Sequence, residues 1–150
     1  FNLLQETTNC IELITGAAQK KEITIDISIP EELEIMADIQ MFDTVIRNLV
    51  SNAIKFTHHR GSIRISASST NDNYVEIEIE DTGIGMNDEL LNKLFKINEI
   101  TSREGTEGEP STGLGLLLCK EFIEKHNCKI YVSSQEGKGS KFIFTMPKQS

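Results

Sequence analysis

A carboxylate and two closely spaced glycines occur together in the run Asp81-Thr82-Gly83-Ile84-Gly85-Met86. Over residues 74–80, which precede this run, apolar and polar side chains alternate, as is typical of a half-buried strand. Asp81 falls on the parity of the apolar residues, so the pattern directs its carboxylate to the interior. A buried carboxylate is costly unless it is hydrogen-bonded, and glycines let the backbone approach a ligand closely. The combination predicts a pocket in which Asp81 accepts hydrogen bonds from a small molecule.

A second set of polar side chains shares one face of the helix predicted from a cap at Asp38 to about residue 56. At 100° per residue, Asn48, Asn52 and Lys55 fall within roughly 60° of arc. The alternative explanation is a solvated surface stripe. Asparagine lowers helix propensity, however, so repeating it on one face is unfavourable if that face is only solvated. An asparagine oxygen can ligate Mg²⁺, and a lysine can neutralise a terminal phosphate. The stripe is therefore consistent with a ligand site.

A second glycine pair lies in the run Ser111-Thr112-Gly113-Leu114-Gly115-Leu116, directly before a helix predicted over residues 114–126. Free N–H groups at a helix start favour anions such as phosphates, although a glycine-rich helix entry packed under a sheet has the same pattern. A third glycine is missing for a dinucleotide-binding fingerprint, and the P-loop pattern is absent. A phosphate site here would belong to another fold.

The elements that must position these residues follow from hydrophobic periodicity. Residues 33–37 are predicted as a short second strand, and residues 98–111 form a polar segment with glycines 105 and 108 and a proline at 110. We predict an α+β sandwich in which a mixed sheet of about five strands is covered on one face by about three helices. The predicted helices span 3–19, 38–56, 87–95 and 114–126, and the other predicted strands span 23–29, 63–67, 74–81, 129–134 and 140–146.

The composition is that of one ordinary domain of 150 residues, with 38% hydrophobic and 25% charged residues. A net charge of −8 argues against nucleic-acid binding. No stretch reaches the roughly 18 apolar residues of a membrane span, and we expect no membrane contact. Three cysteines and three histidines are too scattered for a metal or redox motif. The chain begins at Phe1, which indicates a piece of a longer protein.

In this order, the motifs resemble the ATP-binding domain of two-component sensor histidine kinases, a branch of the fold that is shared with gyrase and mismatch-repair ATPases. Residues 48–57 resemble the family's N box, residues 81–86 its first glycine box and residues 94–95 its F box. Residues 112–116 resemble the second glycine box, and residues 137–140 a weaker third one. The resemblance spans nearly the whole chain and implies the Bergerat ATP-binding fold.

The resemblance also implies a role for each matching residue. Asp81 would hold the adenine amino group, and Asn52 would be the Mg²⁺ ligand. Asn48 and Lys55 would lie at the phosphates, and together with Asn52 they would form the catalytic set. Phe95 and residues 98–111 would form a lid, in which Arg103 is the candidate cation. The remaining implied nucleotide-binding residues are Gly83, Gly85, Met86, Thr112, Gly113, Leu114, Gly115, Leu116 and Thr145, the last of which would lie on the final strand near the adenine end.

The chain departs from the family pattern in lacking the phosphoacceptor histidine of a His-Glu/Asp-x-x-x-Pro motif. We therefore expect this fragment to bind ATP and Mg²⁺ as a monomer without phosphorylating itself. The implied activity is transfer of the γ-phosphate to a histidine on a separate dimerisation hairpin, with a response regulator as partner. The implied location is cytoplasmic, and the parent protein could be membrane-anchored.

Three alternatives remain open at this point. The first is a nucleotide-sensing module without phosphotransfer, and the second is an anti-sigma-type serine kinase on the same fold. A topoisomerase-like ATPase is disfavoured, because those relatives often carry a glutamate base in the helix where this chain has Asn48. An asparagine cannot act as a general base at neutral pH.

Overall fold

The computed structural model describes residues 1–71, 73–95, 105–106 and 114–149. Within these residues, five strands form one sheet in the order β1-β2-β3-β5-β4. The first pair is parallel and the other three pairs are antiparallel, so the sheet is mixed, as predicted. The strands are β1 Thr24–Ser28, β2 Ser62–Ser69, β3 Tyr74–Asp81, β4 Ile130–Gln135 and β5 Gly139–Pro147.

Helices cover the face of the sheet that the apolar residues of β3 and β5 line. Val75, Ile77 and Ile79 of β3 and Phe144 of β5 are almost fully buried, whereas Glu76 of β3 has the opposite parity and is not. Alternation at a period of two therefore produces one buried and one solvated face, as expected for a strand covered on one side. The helices are α1 Leu3–Glu12, α2 Thr15–Lys20, α3 Ile39–Phe56, α4 Asp88–Lys93 and α5 Leu114–Lys125.

The helix predicted over residues 3–19 is divided into α1 and α2. Ile14 leaves the helical region with φ −122° and ψ 8°, and its N–H donates to the carbonyl of Ile11 in a tightened last turn. The hydroxyl of Thr15 donates to the carbonyl of Glu12 at 3.2 Å. Such local side-chain hydrogen bonds compete with the backbone hydrogen bonds of the helix. The apolar periodicity continues through residues 13–15, so it did not predict the break there.

The strand predicted over residues 33–37 does not form. Glu34 and Ile35 make isolated bridges to Asn2 and Lys148, respectively. Because the segment passes from the chain start to the end of β5, its partners change before a ladder can develop. Its apolar alternation instead reflects side chains that enter the core, with Ile35 fully buried.

The remaining predicted elements are confirmed to within two or three residues at each end. Asp38 caps α3 as predicted, because its Oδ1 accepts from the N–H of Met41 at 2.9 Å. Asn87 caps α4 in the same way at Leu90. Among the helices of the described residues, none combines the length and the apolar character that crossing a bilayer requires.

Candidate functional site

The carboxylate of Asp81 lies at the end of β3 with 7% of the residue exposed, so the inward orientation predicted from parity is confirmed. Its Oδ1 accepts from the N–H of Gly83 at 2.8 Å and from the N–H of Ser140 at 3.2 Å. The first contact turns the chain sharply after the strand, and the second crosses to β5, whose Ser140 pairs with Asp81 in the sheet. These donors hold the carboxylate in one orientation at low exposure, which suits an acceptor for a polar ligand.

The loop over residues 82–86 is fastened on two sides. The N–H of Ile84 donates to the carbonyl of Phe56, the last residue of α3, at 2.9 Å, and the carbonyl of Ile84 accepts from Gly137 at 2.7 Å. The N–H of Met86 donates to the hydroxyl of Ser134 on β4 at 2.8 Å. The first glycine motif therefore lies between the end of α3 and the turn that joins β4 to β5.

Two glycines of this loop have no room for a side chain. A β-carbon at Gly83 would lie 2.2 Å from the carbonyl oxygen of Phe56, and one at Gly85 would lie 2.1 Å from the carbonyl oxygen of Gln135. Gly85 also has a φ of +68°, in the left-handed region that favours glycine. The glycine spacing thus serves a close approach of the loop to neighbouring backbone on both sides.

The polar stripe of α3 has its residues on successive turns, as predicted. Asn48 is half-buried, and its Nδ2 donates to the carbonyl of Thr44 at 2.9 Å. This contact leaves the Oδ1 of Asn48 directed away from its own helix. Asn52 and Lys55 are half-buried one and two turns further along.

Helix α5 packs antiparallel to α3, and three contacts define the register. At its start, Gly115 lies so close to Asn48 that a β-carbon there would be 2.8 Å from Oδ1. In the middle, the thiol of Cys119 lies 3.8 Å from the carbonyl oxygen of Val45. At its end, the Nε2 of His126 accepts from the N–H of Asp38 at 3.0 Å. The packing brings the start of α5 to the asparagine stripe.

A cavity of about 490 Å³ lies beside the end of β3. Its lining includes Glu80 and Lys141, which are cross-strand partners of outward parity. The carboxylates of Glu78 and Glu80 raise the pKa of Lys141, and the hydrogen bond that Lys141 donates to Glu78 is the largest cause. Asp81, Ser134 and Ser140 also line the cavity, so it lies next to the carboxylate of Asp81.

Residues 37–150 match the model of the family described as histidine kinase-, DNA gyrase B-, and HSP90-like ATPase. The chain belongs to this ATPase family. ATP is therefore the ligand of this family's domain, and the mixed sheet with one helical layer is its fold.

Curated relatives of this ATPase domain include sensor kinases. The chain is 36% identical over 132 residues to the sensor histidine kinase TmoS of Ectopseudomonas mendocina, covering 88% of this chain and 14% of that protein. It is 37% identical over 139 residues to the adaptive-response sensory kinase SasA of Synechocystis sp., covering 91% of this chain and 36% of that protein. The chain thus spans well under half the length of these relatives.

Solved structures give the same assignment. The catalytic domain of histidine kinase ThkA, in a nucleotide-free form, has a TM-score of 0.84 and 32% identity, covering 99% of this chain and 93% of that one. A second structure, of ThkA in complex with the response regulator protein TrrA, has a TM-score of 0.80 and 28% identity, covering 99% of this chain and 41% of that one. This ATPase domain is therefore similar over its whole length to a histidine kinase catalytic domain.

Several predicted nucleotide-binding residues of the ATPase domain are brought together by the tertiary structure. Gly83 lies between Asp81 and the end of α3, Gly85 and Met86 lie against β4, and Gly115 meets Asn48. Leu116 is buried, whereas Leu114 is 53% exposed. Phe95 is half-buried against the hydrophobic core just beyond α4. Arg103, Thr112 and Gly113 lie outside the described residues.

The position predicted for Thr145, near Asp81, is corrected by the strand register. Thr145 pairs with Glu76, whereas Asp81 pairs with Ser140 at the other end of the same ladder. Five residues of strand separate the two positions, which is about 17 Å. The parity is also opposite, because Thr145 lies between the buried Phe144 and Met146. Position along β5 depends on the pairing register, which the periodicity does not reveal.

Ser140 takes the place in the site that was predicted for Thr145. Its N–H donates to Asp81, and its hydroxyl lies 2.8 Å from that of Ser134, which in turn accepts from Met86. Ser140 was recognised as the last residue of the third glycine motif, but not as a site residue. The signal available in the sequence was the position of Ser140 directly after Gly139. In the structure, Gly139 has a φ of +105°, and a β-carbon there would meet the carbonyl of Asp81.

Proposed function

We propose that this chain is the ATP-binding catalytic domain of a sensor histidine kinase, which transfers the γ-phosphate of ATP to a histidine on a separate helical hairpin. The observation that carries the proposal is the convergence on α3. The second glycine motif meets α3 at Asn48, and the first glycine motif meets it at Phe56. Both ends of an extended nucleotide would then be held by groups that share one helix.

At the base end, Asp81 would accept from the adenine amino group. Two backbone donors already fix its Oδ1, so the carboxylate does not need to reorient when a ligand arrives. Ser140, whose N–H donates to this carboxylate, has its hydroxyl 2.8 Å from that of Ser134. These groups offer acceptors for the amino group of adenine. Because they are held in position before the ligand arrives, they favour affinity.

At the phosphate end, Asn48, Asn52 and Lys55 would hold the triphosphate together with the start of α5. Asn52 offers an amide oxygen, which is a hard ligand of the type that Mg²⁺ takes. In such sites, phosphates and water complete the coordination of the ion. Lys55 supplies a positive charge one turn further along the same face. The donor set therefore fits a magnesium nucleotide.

ATP, when bound, supplies the phosphoryl group, so the residues of the chain contribute orientation and charge neutralisation. Asn48 cannot take a proton from water, and its Nδ2 is engaged with Thr44. These features favour transfer to a presented nucleophile over hydrolysis.

The complex of the similar kinase ThkA with the response regulator TrrA supports a response regulator as the eventual partner. A cytoplasmic location belongs to the same proposal.

Titration of ATP into the chain by calorimetry, with and without Mg²⁺, tests the two ends of the site separately. Asp81→Asn keeps one oxygen for the backbone donors but replaces the other with an amide NH2 group, which donates instead of accepting, so we expect affinity to fall about tenfold or more. Asn52→Ala should remove the gain in affinity that Mg²⁺ provides. Asp26→Asn, the same change at an exposed position on β1, is the matched control. Equal binding by wild type and Asp81→Asn would contradict the adenine assignment.

The acceptor is tested with ATP labelled on the γ-phosphate. The chain alone should remain unlabelled, and addition of a dimeric hairpin that presents a histidine should give a product that is stable to alkali and labile to acid. A product with the opposite stability would indicate a serine kinase instead. Tight ATP binding without transfer to any hairpin would favour a nucleotide-sensing module.

A further inference from the structure

Three neighbouring strands place one polar residue each at the base end of the proposed nucleotide site. Asp81 of β3 is the cross-strand partner of Ser140 on β5, and Ser140 is in turn the partner of Ser134 on β4. Asp81 and Ser140 are each 7% exposed, and Ser134 is half-buried. All three line the cavity of about 490 Å³ beside the end of β3. The two serine hydroxyls therefore belong to the same wall of the cavity as the carboxylate.

The hydroxyl of Ser134 makes three contacts, which together use its whole hydrogen-bonding capacity. Its Oγ accepts from the N–H of Met86 at 2.8 Å, and its proton is donated to the carbonyl of Gly139 at 2.9 Å. The third contact, at 2.8 Å, is with the hydroxyl of Ser140, and either oxygen could supply the proton for it. A serine hydroxyl has one proton and two lone pairs. Because a carbonyl can only accept, the single proton of Ser134 is committed to Gly139.

The direction of the hydrogen bond between the two hydroxyls follows from this commitment. Ser134 has no second proton to give, so Ser140 donates and its own proton points toward Ser134. The reverse direction would leave the oxygens of Ser134 and Gly139 at 2.9 Å without a proton between them, which is unfavourable. The Oγ of Ser140 is left with lone pairs only, and an ionised aspartate such as Asp81 also only accepts. Both side chains therefore accept hydrogen bonds from a ligand.

We propose that Ser134 is a positioning residue that sets the base specificity of the nucleotide site. By taking the proton of Ser140, it makes that hydroxyl an acceptor beside Asp81. Two acceptors suit the amino group of adenine and disfavour a purine that carries a carbonyl oxygen in its place, because that oxygen finds no proton there. The inference rests on the proposed function and deepens it, since it names a residue that selects the base without contacting the nucleotide.

The preference for ATP over inosine triphosphate (ITP) measures this role separately from a purely structural one. ITP has the same sugar and triphosphate, with a carbonyl oxygen where adenine carries its amino group. In Ser134→Ala, the hydroxyl of Ser140 is released to donate to that oxygen, so we expect the ratio of the two dissociation constants to fall about threefold to tenfold. The N–H of Met86 also loses its acceptor, but a general loosening of the loop weakens both nucleotides and cancels in the ratio.

Three further variants complete the calorimetric titrations, each made in the presence of Mg²⁺. Ser134→Thr keeps the hydroxyl and should keep the preference of the wild type. Ser28→Ala makes the same change at an exposed position on β1, at the opposite edge of the sheet, and is the matched control. Ser140→Ala removes the acceptor itself, so the preference should fall, and adding Ser134→Ala to it should change the ratio no further. This variant also carries the test if thermal unfolding shows that Ser134→Ala is not folded.

The outcomes distinguish this inference from the function on which it rests. If the wild type prefers ATP and either Ser134→Ala or Ser140→Ala keeps the full preference, the role of Ser134 is overturned and the nucleotide site stands. An equal loss of preference in Ser134→Thr and Ser134→Ala would also overturn the role, because the hydroxyl would then not matter. If the wild type binds ATP and ITP equally, the inference fails together with the adenine assignment of Asp81. If the wild type binds neither nucleotide, the proposed function itself is overturned.

Discussion

Asn48 and Gly115 contact each other where α3 meets the start of α5, at a distance that leaves no room for a side chain on Gly115. The Oδ1 of Asn48 lies 2.8 Å from the position that a β-carbon would take, while its Nδ2 is bonded to Thr44. The two residues are far apart in sequence and belong to different motifs. Their contact couples the orientation of the asparagine to the position of the second glycine motif.

Gly115→Ala should lower ATP affinity about tenfold while the chain remains folded. The added methyl forces the Asn48 side chain to rotate and to give up its hydrogen bond to Thr44, which is ordinarily worth about 1 kcal/mol. Calorimetric titration of ATP together with thermal unfolding measures both effects. Gly16→Ala is the control, because a β-carbon at Gly16 meets nothing within 4 Å. That variant should bind ATP normally and gain up to about 1 kcal/mol in stability. Unchanged affinity in Gly115→Ala would contradict the coupling.

Gly85→Ala should destabilise the chain more than Gly137→Ala, by about 2 kcal/mol or more. Both glycines have positive φ, +68° and +81°, so both substitutions carry the same kind of backbone strain. At Gly85 the new β-carbon also meets the carbonyl of Gln135 at 2.1 Å, whereas at Gly137 nothing lies within 4 Å. Urea unfolding of the two variants isolates the steric part of the cost. Equal destabilisation would mean that the loop over residues 82–86 can move away from β4.

The free energy of unfolding should fall as the pH rises above about 9. Burial raises the pKa of Cys119 to about 12, and burial with a hydrogen bond to Asp43 raises the pKa of Cys10 to about 12. The unfolded chain releases these protons near pH 9.0, while the folded chain retains them, so this stability is present below that pH and is lost as the pH rises toward 12.

Urea unfolding at several pH values between 7.5 and 10.5 measures this dependence. Cys119→Ala should flatten it, because a titrating group is removed. Ser133→Ala, at an exposed position without a titrating group, is the control and should leave the slope unchanged. Parallel curves for wild type and Cys119→Ala would show that this thiol does not titrate differently in the two states.

Asp38→Ala should reduce the free energy of unfolding by about 1 kcal/mol, through loss of the side-chain cap at the Met41 N–H. Helix α3 contributes several fully buried side chains to the core, so fraying of its first turn is expressed in global unfolding. Asn87→Ala removes the equivalent cap from α4, a six-residue helix without buried residues, and should cost less than about 0.5 kcal/mol. Chemical denaturation compares the two. A larger effect at Asn87 would contradict this assignment of the core.

The elements that the sequence alone predicted are those with a strong local pattern. The alternation before Asp81 established both the strand and the inward carboxylate, because side-chain parity is a property of the extended backbone itself. The apolar spacing of α3 likewise placed Asn48 and Asn52 together on its other face. The order of these motifs was sufficient to indicate the family, and residues 37–150 confirm it.

Tertiary structure decided what depends on partners distant in the chain. The segment around Ile35 has the alternation of a strand but finds no continuous neighbour, and Thr145 has the right strand but the wrong register. Lys21 carries no motif, and its buried ammonium donates to carbonyls and a hydroxyl that lie up to 85 positions away. Local periodicity determines which way a side chain points, whereas the groups that it meets are determined by how helices and strands pack, and that packing depends on the whole chain at once.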